Sequence, residues 1–155
     1  MGVAKCFFNC SKPPSCHTSR NTSSEVDDAS GRLTGFVMLE RLVVDGERHA
    51  SYYALRREDL KRFHFVKGDA EGLVNMPLQI KGHKLSISLR EDTDKDNLVW
   101  VSLRSVDDFP CNKMAAEFFN GGGHLNASGG RLYCSIDEAV KIAQQAIVAY
   151  ESLLK

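Results

Sequence analysis

The sequence has no excess of either charge: 20 Lys and Arg balance 20 Asp and Glu among 155 residues. Long-range attraction to nucleic acid or to an anionic membrane is therefore not built into the composition, and any anion site has to be local. No apolar run approaches the ~20 residues needed to span a bilayer. No secretory leader is expected, because Phe7-Phe8 is followed at once by Asn9, Cys10, Ser11 and Lys12; the cytoplasm is the expected compartment. There is no disulfide framework. The five cysteines (Cys6, Cys10, Cys16, Cys111 and Cys134) are odd in number and follow no framework spacing. Cys111 and Cys134 sit in apolar contexts and are expected to be small buried hydrophobes. Cys6, Cys10, Cys16 and His17 are a conceivable zinc set, but no Cys-x-x-Cys pair supports it and no metal ligands are assigned. Residues 1–29 have very little Leu, Ile and Val and much Ser, Thr, Pro, Asn and Asp. That composition cannot bury a core, so this tail is expected to be poorly ordered or foreign to the domain that follows, residues 30–155.

What the sequence does have is the stretch from Phe118 to Gly130, with five glycines in thirteen positions and one histidine, His124. Three consecutive glycines, Gly121 to Gly123, suit neither a helix nor a strand interior, because glycine loses the most backbone entropy on folding. They suit close backbone approach, positive φ, or bare N–H groups turned toward an anion. The run from Leu125 to Gly130 is expected to be able to start a tightly packed helix. Phe118 and Phe119 on one side and Leu132 and Tyr133 on the other argue against a floppy linker, which would be polar at both ends.

Elsewhere, Leu33, Phe36, Val37, Leu39 and Leu42 recur at helical spacing, with Ser30 as the expected N-cap. A strand is expected from His49 to Leu55, then a short helix from Arg57 to Phe63. A further short helix ends near Met76, where Pro77 disfavours helical geometry. His49 and His64 are expected to be structural or surface residues. Leu85, Ile87 and Leu89 alternate with Ser86, Ser88 and Arg90, and Val99, Val101 and Leu103 alternate with Trp100, Ser102 and Arg104. Joined by the polar segment from Glu91 to Asn97, these read as a β-hairpin with Arg90 and Arg104 at opposite ends of the pairing yet close to one another. A helix is expected from Asn112 to Phe119 and a short strand from Arg131 to Cys134. The last helix opens with the capping box Ser135-x-x-Glu138 and is expected to carry a broad apolar face from Ala139 through Tyr150 to Leu153. The expected fold class is α/β, a mixed β-sheet with helices packed on it.

The strand end Ser102-Leu103-Arg104-Ser105, a short helix and the glycine-histidine run would bring Arg104, Ser105 and His124 to one edge. Arg104 offers a planar fork for phosphate, His124 one or two donors, and Ser105 and the backbone of Gly121, Gly122 and Gly123 further neutral donors. This is the chemistry of a phosphate-ester clamp.

The same residues carry a resemblance. Gly121-Gly122-Gly123-His124-Leu125-Asn126-Ala127-Ser128-Gly129, preceded by Val101-Ser102-Leu103-Arg104-Ser105, resembles the C-terminal DHHA1 domain of the DHH phosphoesterase superfamily. Gly68 to Asn75 and Ser88-Leu89-Arg90-Glu91 resemble the bacterial oligoribonuclease and 3′-phosphoadenosine 5′-phosphate phosphatase branch, often labelled exopolyphosphatase-related. The resemblance runs from about Ser30 to the C-terminus. It implies a DHHA1-like substrate-binding domain whose partners are short oligonucleotides or nucleotide phosphates. Arg104, Ser105 and His124 would bind phosphate, joined by the Gly121–Gly123 backbone, with Arg90 and Asn126 as weaker candidates. Family enzymes hold two manganese ions on a separate domain bearing an Asp-His-His motif, which this sequence lacks. The resemblance therefore implies that Mn²⁺ belongs to that other domain and that this chain alone is inactive, as a fragment or a split subunit. An alternative is a stand-alone RNA-binding module like the DHHA1 domain of alanyl-tRNA synthetases. Neutral charge and the absence of a visible aromatic-interleaved basic patch speak against that alternative. A self-sufficient metalloenzyme built on Cys6, Cys10, Cys16 and His17 is the third and weakest reading.

Overall fold

A computed structural model describes residues 28–155. Most of the tail expected at residues 1–29, with its candidate zinc set, lies outside them. The elements run α1 (Asp28–Phe36), a π-helical turn (Val37–Arg41), β1 (Val43–Asp45), β2 (Ala50–Leu55), α2 (Arg57–Arg62) and α3 (Asp69–Asn75). A 3₁₀ turn (Met76–Gln79), β3 (Leu85–Glu91), β4 (Val99–Ser105) and α4 (Cys111–Phe118) follow, then β5 (Gly122–His124), β6 (Ala127–Leu132), α5 (Ile136–Ala149) and α6 (Glu151–Leu154). The α/β expectation holds: six strands form one mixed sheet in the order β1-β2-β3-β4-β6-β5. Only β2 and β3 are parallel, joined by a crossover through α2 and α3.

Alternation along the strands sorts the two faces of the sheet. Leu85, Ile87, Leu89, Val99, Val101 and Leu103 pack on one face with Met114 and Ala115 of α4 and Ala139, Ala143 and Ala146 of α5. On the other face, Tyr53 and Leu55 of β2 pack with Leu33, Phe36 and Val37 of the first helix and with Leu60 and Leu73. That second cluster covers the β2 side, and α3 reaches over β3 and β4. The far part of the face, over β4, β6 and β5, is half-buried or exposed. The helix α5 is capped as expected: Ser135 Oγ accepts from the Glu138 N–H at 3.3 Å, and Glu138 accepts from the Ser135 N–H at 3.1 Å.

Several expectations are corrected. The first helix already includes Asp28, so Ser30 lies inside it, and the Ser30 carbonyl accepts from Thr34 Oγ1 at 2.9 Å. Apolar spacing shows the buried stripe of a helix but not its first turn, which an adjacent polar segment can supply. Leu39 falls in the π turn and is 88% exposed. The last helical segment breaks at Tyr150, and Leu153 is exposed. Cys111 is buried, but Cys134 is only half-buried. The largest correction concerns the glycine-rich stretch. Gly122 to His124 is a strand, and Ala127 to Leu132 is its hairpin partner, so there is no helix after Leu125 and the final strand starts four residues earlier than Arg131.

Candidate phosphate-binding face

The hairpin of β5 and β6 exists because two chain segments touch where side chains would collide. A Cβ at Gly130 would overlap the carbonyl oxygen of Phe119 and sit 2.9 Å from its Cβ. A Cβ at Gly121 would overlap the Gly129 carbonyl and sit 2.5 Å from the Gly130 Cα. The glycines therefore let the end of α4 pass directly against β6. The Gly121 N–H is committed to the Ala115 carbonyl at 3.0 Å, which closes the helix. The hairpin tip is tied down from below: the Leu125 carbonyl accepts from the Cys111 N–H at 2.8 Å, and the Asn126 carbonyl from the Ser105 N–H at 3.1 Å. Ser128 Oγ donates to the His124 carbonyl at 2.7 Å.

Cross-strand register then sets which side chains share the open face. Arg104 pairs with Ser86 on β3 and with Ala127 on β6, and Ala127 pairs with His124 on β5. Ser86, Arg104, Ala127 and His124 thus form one row, with Arg104 and His124 two strand spacings apart, ~10 Å between backbones. Arg104 is half-buried, donates one guanidinium hydrogen to the Leu103 carbonyl at 2.9 Å, and has no ion-pair partner among the described residues. His124 is exposed.

The other named residues fall differently. Ser105 projects to the helical face, is 6% exposed, and donates its hydroxyl to the Phe109 carbonyl at 2.9 Å. Its Oγ is also 3.1 Å from the Asn126 amide oxygen. One hydroxyl has one proton, so Ser105 donates to one of these two oxygens at a time. This pair braces the hairpin from below. Arg90 shares the face of Arg104 but pairs with Trp100, so the two arginines stand at opposite ends of the β3–β4 pairing rather than side by side. The antiparallel register separates them by four residues, ~13 Å. Arg90 lies 4.9 Å from the Phe65 ring, and burial pulls its pKa down.

Between the arginines lies a polar floor that the sequence did not single out. The Tyr53 hydroxyl and Ser86 Oγ are buried, and Ser86 Oγ has no hydrogen-bond partner among the described residues. Burial raises the Tyr53 pKa, and a hydrogen bond with Ser88 and then the positive charges of Arg90 and Arg104 oppose that rise. Buried polar groups are normally satisfied, and Arg90 and Arg104 beside these hydroxyls have no ion-pair partner among the described residues. Tyr53 reads as core from its neighbours in sequence, which is why no local signal finds it.

His83, also missed, is 7% exposed, and its ring makes no hydrogen bond with another side chain among the described residues, the Ala50 backbone lying beside it. Burial first, and the charge of neighbouring His49 second, hold its pKa below the ordinary 6.5. The unfolded chain takes up this proton near pH 6.5 and the folded chain resists it. Stability is thus full above that pH and falls as pH drops through it. Urea midpoints should decline from pH 8 to pH 5, and His83→Gln should flatten that decline. An unaltered slope in the variant would assign the proton uptake to another group.

Among the described residues no three His, Cys, Asp or Glu side chains come together as a metal-holding group, so the donors that a pair of manganese ions requires do not fit this part of the chain. No helix among them is long and apolar enough to cross a membrane.

The DHHA1 domain family matches residues 59–149. The chain is similar to the crystal structure of an exopolyphosphatase-related protein from Bacteroides fragilis, with 45% identity and a TM-score of 0.79, over 85% of this chain and 38% of that one. Two more distant structures share the fold alone. An uncharacterized protein from Helicobacter pylori has 21% identity and a TM-score of 0.50, over 80% of this chain and 34% of that one. A pGpG-specific phosphodiesterase from Vibrio cholerae has 11% identity and a TM-score of 0.52, over 79% of this chain and 39% of that one. The chain thus spans well under half the length of each of these relatives. No curated protein matches the chain. With the family match covering more than half of the sequence and a 45% identical relative sharing its fold, the chain belongs to the DHHA1 domain family.

Proposed function

We propose that this chain is the substrate-gripping part of a cytoplasmic DHH-type phosphoesterase that acts on short oligonucleotides or nucleotide phosphates. The observation that carries the reading is the row in which Arg104, without an ion-pair partner among the described residues, and exposed His124 flank Ala127 on the open sheet face. Arg104 takes two phosphate oxygens with its fork, and His124 donates to the same or the next phosphate. The small side chain at Ala127 leaves the phosphate room between them. Asn126 and Ser105 hold the hairpin at the height His124 needs, and the backbone of Gly121 to Gly123 completes the rim. Arg90 extends the positive character along the strand. In this reading hydrolysis requires a second, Asp-His-His domain carrying Mn²⁺, which supplies the activated water. This chain's residues bind and orient the ester.

The purified chain should bind a 5′-phosphorylated dinucleotide in equilibrium dialysis and show no Mn²⁺-dependent release of phosphate. Adding a manganese-loaded Asp-His-His domain in trans should restore turnover. Absence of binding would remove the grip. Turnover by the chain alone would remove the division of labour, and RNA binding without any turnover in trans would favour a stand-alone RNA module.

A further inference from the structure

A second row crosses the same face beyond Arg104 and His124. Trp100 of β4 pairs with Arg90 on β3 and with Arg131 on β6, so two arginines flank an indole at strand spacing, ~4.8 Å on each side. Five of the nine described arginines form ion pairs, and of the four that do not, Arg90, Arg104 and Arg131 all project from this face. Three of the four described arginines without an ion-pair partner among the described residues thus share one surface. Trp100 is half-buried, and its Nε1–H donates to Asp92 Oδ2 at 2.7 Å. That bond holds the Asp92 carboxyl down at about 2, so the anchor stays ionised at neutral pH, and it fixes the ring. Asp92 is the nearby acid for Arg90 but stands outside ion-pair distance of it.

We infer that the Arg90–Trp100–Arg131 row is a nucleotide subsite, which makes the ligand a single-stranded oligonucleotide rather than a mononucleotide. The inference rests on the reading of Arg104 and His124 as the phosphate grip and names what lies next to it. Trp100 stands four residues from Arg104 along β4, ~13 Å, too far for one phosphate to touch both. A chain with its terminal phosphate at Arg104 and His124 lays a following base against the indole and an internal phosphate on exposed Arg131. Aromatic stacking with flanking cations is the sequence-tolerant way to hold single strands. Between the two rows lie Ser88 and Ser102, cross-strand partners on the same face, with Tyr53 beside Ser88.

Trp100 is the only tryptophan, so its fluorescence reports this row directly. The full chain is titrated with 5′-phosphorylated di- and tetraadenylate and with linear polyphosphate. The tetranucleotide should bind about tenfold tighter than the dinucleotide and should alone quench the emission. Trp100→Leu should abolish the length gain and leave the dinucleotide affinity unchanged, while Trp100→Phe retains most of it. Arg131→Ala, on an exposed position that folding tolerates, should lower the salt slope for the tetranucleotide by about one. Equal affinity at both lengths with unquenched emission overturns the subsite and leaves the grip standing. Polyphosphate showing the same gain also overturns it, since no base is then read. Quenching by the tetranucleotide that survives Arg104→Ala would keep the subsite and remove the grip.

Discussion

Gly130→Ala is expected to destabilise the fold by about 3 kcal/mol or more, a large part of the stability of a typical domain. The added methyl would run into the Phe119 carbonyl oxygen and lie 2.9 Å from the Phe119 Cβ, and Phe119 is fully buried. Neither partner is the flexible end of a side chain. Relief requires α4 to lift from β6, which also breaks the 2.9 Å bond from the Arg131 N–H to the Phe119 carbonyl. Gly122 is the matched control, since a Cβ there meets nothing within 4 Å. Gly122→Ala should therefore fall within about 0.5 kcal/mol of the parent. Urea unfolding followed by Trp100 emission measures both. Equal midpoints for the two variants would refute close backbone approach as the reason for these glycines.

Arg104→Ala is expected to weaken binding of a 5′-phosphorylated dinucleotide by roughly 10- to 100-fold, the range for removing a charge-assisted pair of about 1.5–3 kcal/mol. Stability should change little, since the guanidinium makes only a local bond to the Leu103 carbonyl and is half-buried. Arg104→Lys keeps the charge but loses the fork, and should recover only part of the affinity. The salt slope should fall by about one in the alanine variant. Unchanged affinity in Arg104→Ala, measured calorimetrically on folded protein, would sink the role assigned to this residue.

The sequence was legible where a pattern has one physical cause. Period-2 alternation in Leu85–Glu91 and Val99–Ser105 gave both central strands and sorted Arg104 from Leu103 onto opposite faces. Ser135 and Glu138 announced the start of α5. The glycine run misled because glycine propensity is a local preference, whereas Gly121 and Gly130 answer to a contact between α4 and β6, segments whose closeness is tertiary. Ser105 looked like a fellow of Arg104 by adjacency, yet one step along a strand reverses the side chain. The basic-aromatic row escaped notice for the same reason. Arg90, Trp100 and Arg131 are far apart in sequence, and only register makes them neighbours.

The single parallel step between β2 and β3 divides the molecule in time as well as in space. Joining those strands closes a loop from Leu55 to Leu85 across α2 and α3, while β3–β4 and β5–β6 close short antiparallel loops. Long closures dominate the entropy that a folding chain must overcome before contacts form. The β2–β3 closure is therefore expected to weigh most on the folding rate, with the β4–β6 pairing across α4 and β5 the next long closure on the side that carries Arg104 and His124. Variation in the arginine rows changes neither loop length, and can retune what the surface holds while leaving the kinetics of its making almost untouched.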